Sequence, residues 1–301
     1  MTFFPSVSIM FRSCNLYNLD SIHRGETDLL EKIVFIGAGA VAESLIKGFL
    51  DKDFITPDRI WVNNHSNTDR LKELEEAYSI RTTQDKQAAL KNADVVFLAF
   101  KPKDTAEALE SMKGFMKSGQ LFISLMAGVP SDYIVSVTGQ PVSIIRAMPN
   151  TPASIGLSAT GIAAGSFASA EQLCVAKELF ETVGTVSIVQ ESAIDIMTGL
   201  SGSGPAYLYY LAEAMKEAGV GEGLSEDEAA RLVKQTLKGA AALLHRSGKT
   251  PGELLQAVAT PGGTTEAGVN TLNRHQAKEA VIDCVHQAVR RARELSDPFS
   301  T

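Results

Sequence analysis

Two turns made almost entirely of small and hydroxylated residues carry the chemistry of an anion site: Thr260-Pro261-Gly262-Gly263-Thr264-Thr265 and, earlier, Leu200-Ser201-Gly202-Ser203-Gly204-Pro205-Ala206. Gly262 and Gly263 place no side chain between their N–H groups and an approaching anion. Thr260, Thr264 and Thr265 bring hydroxyl groups, and a helix starting at Thr264 adds the positive end of its dipole. A small carboxylate suits such a cradle, with Ser203 and Gly204 lining it. The plainer alternative is a helix N-cap turn and a packed helix break without a ligand.

A third turn, Gly37-Ala38-Gly39-Ala40-Val41-Ala42, follows the apolar run Ile33-Val34-Phe35-Ile36 and opens a helical stretch reaching Leu50. Strand, glycine turn and helix in that order form the phosphate-binding corner of a dinucleotide fold. Gly37 permits the tight turn, Gly39 lets a pyrophosphate approach the backbone, and Ala42 is small enough for close packing of the helix. The second strand ends in Asn63-Asn64-His65-Ser66-Asn67, with no acidic residue before Asp69 to bind the ribose 2′-hydroxyl of NAD. Asn64, His65 and Ser66 therefore point to NADPH, with NADH the weaker alternative. Ala99, Lys101 and Pro102, then Ala127 and Gly128, lie at the ends of later strands, where ligands sit in open α/β sheets, and read as further cofactor walls. Asn150 reads as lining the nicotinamide side, whereas Arg146 serves either as a carboxylate clamp or as an internal ion-pair partner.

The elements that must position these turns follow from the alternation of the chain. Apolar runs over 32–36, 60–62, 94–99, 121–125 and 142–146 predict strands separated by helical segments, a βαβ rhythm. Val95-Val96-Phe97-Leu98 is apolar on both faces, as in a parallel sheet covered by helices on either side. Short strands at 161–164 and 185–189 extend the sheet, with a helix over 170–183 between them. From Ser192 the pattern becomes helical over 194–218, 225–247, 251–259, 264–273 and 276–295. Ser225 with Glu228 fits a capping box, Pro251 fits a first helical turn, and Pro205 interrupts or kinks the first long helix. The fold class is thus α/β: an N-terminal Rossmann-type, doubly wound parallel sheet over 31–190, followed by an all-α domain over 191–301. The stretches 236–244 and 277–289 are apolar on more than one face and need more cover than one short domain supplies, which predicts a helix-swapped dimer.

At 301 residues the chain has length for two domains, and 45% apolar with 21% charged residues is ordinary for a folded enzyme. A net charge of −7 gives no reason to expect nucleic acid or an anionic membrane as a partner. No apolar run is long enough to span a bilayer. Cys14, Cys174 and Cys284 lack metal-ligand spacing and fit free thiols in a reducing, cytoplasmic setting, with no metal expected. Residues 1–30 carry no signal-peptide pattern and are read as a disordered extension.

With Phe100-Lys101-Pro102, Arg146-Ala147-Met148-Pro149-Asn150-Thr151-Pro152, the run from Gly199 to Tyr207 and the 260–265 turn added to the glycine turn, the chain resembles the pyrroline-5-carboxylate reductases from about Lys32 to Leu295. The resemblance implies a Rossmann domain for NAD(P)H, a helical dimerisation domain and an active site completed at the interface of a homodimer or higher oligomer. It also implies that the 260–265 loop holds the carboxylate of 1-pyrroline-5-carboxylate, which is reduced to L-proline. One departure is Thr83-Gln84-Asp85-Lys86, where the family pattern places an asparagine near the adenosine ribose. Hydride transfer to a cyclic iminium requires alignment more than a proton-shuttling side chain. Thr265 is the catalytic candidate, orienting the substrate and donating a hydrogen bond near its nitrogen. The alternatives are an NADP-dependent β-hydroxyacid dehydrogenase, which needs a base such as lysine that neither small-residue turn contains, and a non-catalytic NADP-binding regulator.

Overall fold

The computed structural model describes residues 30–299, so the extension expected over 1–30 lies, Leu30 apart, outside the described residues. The chain divides into two compact units, one reaching to Ser203 and resuming at Ala288, the other Gly204–Gln287.

The first unit is built on one eight-stranded sheet. Its strands are β1 (Ile33–Ile36), β2 (Ile60–Asn63), β3 (Arg81–Thr83), β4 (Val95–Leu98), β5 (Leu121–Ser124), β6 (Ser143–Met148), β7 (Ser158–Ala164) and β8 (Gly184–Ile188), in spatial order β3-β2-β1-β4-β5-β6-β7-β8. Between them run α1 (Ala40–Asp51), α2 (Thr68–Tyr78), α3 (Lys86–Leu90), α4 (Thr105–Glu110), α5 (Ser131–Thr138) and α6 (Ala170–Glu181). Ile33 of β1 lies opposite Ile60 of β2 on one side and Val95 of β4 on the other, all parallel.

Alternate residues of β1 enter two different cores, as expected of a sheet covered on both faces. Ile33 and Phe35 pack with Phe49 of α1, Phe97 of β4 and Phe180 of α6, whereas Val34 and Ile36 pack with Val96, Leu98, Leu109 and Ile134. The Phe35 and Phe97 rings stack at 4.5 Å, and Phe180 meets Phe97 edge-on at 6.1 Å. Each of these fully buried aromatics contributes about 1.5–3 kcal/mol through removal from water, which makes the β1–β4 seam a rigid floor for the turns above it.

The sheet is not parallel throughout. β7 pairs antiparallel with β6, and β8 then pairs parallel with β7. The link of residues 149–157 explains the reversal. A parallel return needs a crossover of a dozen or more residues, and this link holds only the short 3₁₀ turn Thr151–Ile155. The longer connection through α6 does allow a parallel pair.

The expected helix over 194–218 is three pieces. α7 (Ile194–Met197) runs into a π-helical turn, Thr198–Gly202, and α8 (Gly204–Gly221) starts afresh with Pro205 in its first turn, where no N–H is required. α8 opens the second unit, which continues with α9 (Glu226–Arg246), α10 (Pro251–Val258), α11 (Thr264–Arg274) and α12 (Ala277–Glu294) as far as Gln287. The Ser225 side chain accepts from the Glu228 amide, but Glu228 turns to Arg231 instead of closing the box. The reciprocal capping box forms at Thr250 and Glu253, ahead of α10, with Pro251 in the first turn. Leu208, Tyr209, Leu243, Leu255 and Leu272 are exposed on the single chain, the apolar surplus that the sequence shows.

Cys284 is a free, exposed thiol. Cys174 is disulfide-bonded, so the expectation of free thiols holds at Cys284 and fails at Cys174. Among the described residues no helix is long and apolar enough to cross a membrane.

Candidate active site

The turn between β1 and α1 owes its shape to Gly37. Its φ of +115° is a conformation that side chains resist, and a Cβ there would lie 2.3 Å from the Ala99 carbonyl oxygen. The Gly37 amide donates to the Asn63 carbonyl at 2.8 Å, and the Ala99 amide donates to the Ile36 carbonyl at 2.8 Å. The ends of β2 and β4 are thereby fastened to the turn. Gly39 is the N-cap of α1 and supplies no capping side chain, while a Cβ built on it meets nothing within 4 Å. The first amides of α1 therefore face open space, and a pyrophosphate fits against them.

A crevice of about 1180 Å³ opens above this turn. Of the residues expected to hold a cofactor, Gly37, Ala38, Gly39, Ala40, Asn64, His65, Ser66, Ala99 and Lys101 line it. The others lie elsewhere. Ala42 is fully buried and Val41 packs against the same core, so both support α1 from beneath. Pro102 opens the 3₁₀ turn Pro102–Asp104, whose Lys103 reaches the crevice. Ala127 packs with Met148, Ala163 and Ile194. Gly128 seats the end of α12: a Cβ there would meet the Leu295 Cβ at 2.7 Å and the Ala292 carbonyl oxygen at 3.0 Å.

Asn150 is buried, and its amide is spent inside the protein. Nδ2 donates to the Ser201 carbonyl at 2.9 Å, and Oδ1 accepts from the Ala159 amide at 3.3 Å. It ties the π-helical turn to the start of β7, a carbonyl freed by the wide turn being just what a side-chain amide can satisfy. Arg146 takes the internal option. It is buried, with Nη1 at 3.4 Å from Glu191 and Nη2 at 3.7 Å from Asp195. Glu191 in turn accepts from the Ser131 amide and hydroxyl.

The crevice also gathers residues that the motif reading left out: Glu43, Asn67, Arg70 and Lys103. Gln84, Asp85 and Lys86, the segment that departs from the family pattern, line it as well. Asp85 caps α3, and Gln84 Nε2 donates to the His65 carbonyl at 3.0 Å, joining the β2 and β3 endings. Arg70 Nε donates to the Ala38 carbonyl at 3.2 Å, while its remaining donors meet Glu43 and Glu73. The hydrogen bond Arg70 donates to Glu73 first, and Glu43 after it, raise the Arg70 pKa. Tyr78 completes the cluster, donating to Glu43 at 3.1 Å. Burial, and then Glu43, push its phenol up. The spacing of glycine motifs gives no sign of these contacts, because they join α1 to α2.

The 260–265 turn belongs to the helical unit. Gly262 adopts a φ of +72°, and Gly263 is the N-cap of α11. Both glycine amides have partners inside the turn. The Gly262 amide donates to Glu266 Oε2 at 2.8 Å, and the Gly263 amide donates to the Thr260 carbonyl at 3.0 Å. The glycines thus shape the loop. The donors without an intrahelical acceptor are the first-turn amides of α11, those of Thr264, Thr265 and Glu266. Ser203 closes the π-helical turn, its amide donating to the Thr198 carbonyl at 2.9 Å, and Gly204 begins α8. Among the described residues, no three His, Cys, Asp or Glu side chains are grouped to hold a metal ion.

Residues 191–295 match the family model for pyrroline-5-carboxylate reductase dimerisation, and residues 32–128 match that for coenzyme F420-dependent NADP oxidoreductases. Pyrroline-5-carboxylate reductase 2 of Bacillus subtilis is 41% identical over 271 residues, covering 90% of this chain and 97% of its own. The Arabidopsis thaliana reductase is 36% identical, covering 88% and 95%. Among solved structures, the reductase of Coxiella burnetii superposes with a TM-score of 0.79 at 37% identity, covering 89% of this chain and 99% of that one. The NADP-bound reductase of Plasmodium falciparum, at 24% identity and a TM-score of 0.81, covers 88% and 98% and shares the fold. Identity at this level across both the glycine-turn unit and the helical segment establishes that the chain belongs to the pyrroline-5-carboxylate reductase family.

Proposed function

We propose that this enzyme reduces 1-pyrroline-5-carboxylate to L-proline with NADPH as the preferred cofactor and NADH as the weaker one. The observation that carries the reading is the glycine-turn crevice, free of an acidic residue at the end of β2, on a chain alike over nine-tenths of its length to a pyrroline-5-carboxylate reductase. The cofactor, when bound, supplies the hydride. Gly37 and Gly39 shape its pyrophosphate seat on α1. Ala38, Ala40, Asn64, His65, Ser66, Ala99 and Lys101 enclose it. Val41, Ala42, Pro102, Ala127, Gly128 and Asn150 act from behind, by packing and by tying loops.

The substrate carboxylate is held by the first-turn amides of α11 and the hydroxyls of Thr260, Thr264 and Thr265, with Gly262 and Gly263 setting the turn and Ser203 and Gly204 lining the pocket. Glu266 must release the Gly262 amide for that amide to join them. Thr265 orients the ring and donates a hydrogen bond near its nitrogen. The balance of the reaction is one hydride to the imine carbon and one proton to the ring nitrogen. A protonated cyclic imine is already electrophilic, so the protein contributes mainly alignment. The division at residues 31–190 and 191–301, self-association through the helical segment as a homodimer or higher oligomer, and a cytoplasmic location complete the reading.

Loss of reduced-cofactor absorbance with 1-pyrroline-5-carboxylate tests the activity, and Thr265→Ala tests the assignment. A drop of about tenfold or more in kcat/KM is expected from the loss of a positioning hydrogen bond. An unchanged kcat/KM removes Thr265 from the mechanism, and turnover of 3-hydroxy acids in place of the imine replaces the reading.

A further inference from the structure

Arg70 has no part in the motifs that identify the crevice, yet among its described lining residues it carries the only guanidinium. It stands on the first turn of α2, seven positions beyond the end of β2, beside Asn64, His65 and Ser66. This is the side of a dinucleotide fold where the adenosine ribose is read, by an acidic residue for a free 2′-hydroxyl or by an arginine for a 2′-phosphate. Three contacts fix it: Nε to the Ala38 carbonyl at 3.2 Å, Nη2 to Glu43, and Nη1 to Glu73 at 3.0 Å. They differ in how hard they are to give up. The Glu43 carboxyl is one-third exposed and is braced by Tyr78, whereas the Glu73 side chain is 64% exposed. A pair that open to water is screened and contributes little. The edge of the guanidinium that faces Glu73 can therefore change partner while the edge holding Ala38 and Glu43 keeps the glycine turn in place.

We infer that Arg70 is the residue that selects the phosphorylated cofactor, exchanging its exposed Glu73 partner for the 2′-phosphate of NADPH. A phosphate carries more charge than the carboxylate it displaces and presents several acceptor oxygens to the Nη1 group that Glu73 gives up. The inference rests on the crevice being the dinucleotide site. In the same arrangement Arg70 also neutralises Glu43, which otherwise sets a negative charge in the first turn of α1 next to the pyrophosphate seat.

The test is binding by calorimetry of 2′,5′-ADP and 5′-AMP, together with NADPH and NADH, to the full-length wild-type protein and to Arg70→Ala and Glu73→Gln. Wild type is expected to bind 2′,5′-ADP more tightly than 5′-AMP. Arg70→Ala should weaken 2′,5′-ADP and NADPH by on the order of 10- to 100-fold, the range for a lost charged hydrogen-bonding group, with 5′-AMP and NADH, which lose only the brace of the turn and the neutralisation of Glu43, weakened by a clearly smaller factor. Glu73→Gln, which touches only the exposed partner, should tighten 2′,5′-ADP and leave 5′-AMP alone. Equal losses of both cofactors in Arg70→Ala would make Arg70 a brace of the turn and overturn the inference, as would an unaltered affinity of Glu73→Gln for 2′,5′-ADP if the alanine variant does not fold. Wild type binding none of the four nucleotides would instead remove the dinucleotide reading of the crevice.

Discussion

Substituting the two turn glycines by alanine one at a time separates a residue needed by the fold from one needed by the ligand. Gly37→Ala introduces a Cβ 2.3 Å from the Ala99 carbonyl oxygen and 2.6 Å from the carbonyl carbon. Both are backbone atoms just past the end of β4, where the Ala99 amide is bonded to the Ile36 carbonyl, and cannot rotate away as a side chain could. The φ of +115° adds a conformational cost of about 1–3 kcal/mol for any L side chain. With the overlap, the destabilisation reaches roughly 3 kcal/mol or more, which at about 2–4 °C per kcal/mol for a unit of this size lowers Tm by about 6–12 °C. At Gly39 the opposite holds, since φ is −77° and the new methyl meets nothing. The cost there is the poorer N-cap of alanine relative to glycine, about 0.5–1 kcal/mol. That methyl does stand where the pyrophosphate must approach the α1 amides, so NADPH affinity should fall about tenfold or more. Scanning calorimetry and NADPH fluorescence titration on both variants read the two quantities independently. Wild-type NADPH affinity in a folded Gly39→Ala protein would refute the placement of the cofactor, and an unchanged Tm in Gly37→Ala would refute the steric argument.

Arg146→Met should cost about 3–5 kcal/mol, because it leaves the carboxylates of Glu191 and Asp195 without their buried cation. Urea unfolding should show partial recovery in Arg146→Met combined with Glu191→Gln and Asp195→Asn, and no recovery would deny the ion-pair role. The Glu253 pKa lies below the ordinary value, chiefly through the Thr250 amide and then its hydroxyl. Its depressed folded pKa means that this stabilisation is present above the unfolded carboxylate range and is lost as pH falls through the folded value. The protection factors of the first amides of α10, exchange rates taken relative to the intrinsic rate at each pH, should therefore fall in acid in the wild type, and Glu253→Gln should remove that fall.

The strands and the glycine turn were legible because their signals are local. Val95-Val96-Phe97-Leu98 can be satisfied only between two covered faces, and Gly37 stands between an apolar run and a helix. The reversal at β7 was harder to read. Nothing in the residues of Ser158–Ala164 distinguishes the two directions, and only the shortness of the 149–157 link decides it. The Glu43–Arg70–Tyr78 cluster was invisible for a different reason: its members look like solvated helix faces until α1 and α2 are laid side by side. Asn150 and the amides of Gly262 and Gly263 show a third limit. Sequence reveals that a group can bind a ligand, but not that the protein has already engaged it.

The two borders of the eight-stranded sheet decide how copies of this chain can meet. β3 is three residues long and begins with exposed Arg81, and β8 turns Thr185 and Ser187 outward. A short margin with a charge and a polar margin are poor templates for a neighbour's strand. Docking by continuing the sheet is thereby discouraged at either rim, and association is steered toward surfaces where greasy side chains, not bare backbone, make the contact.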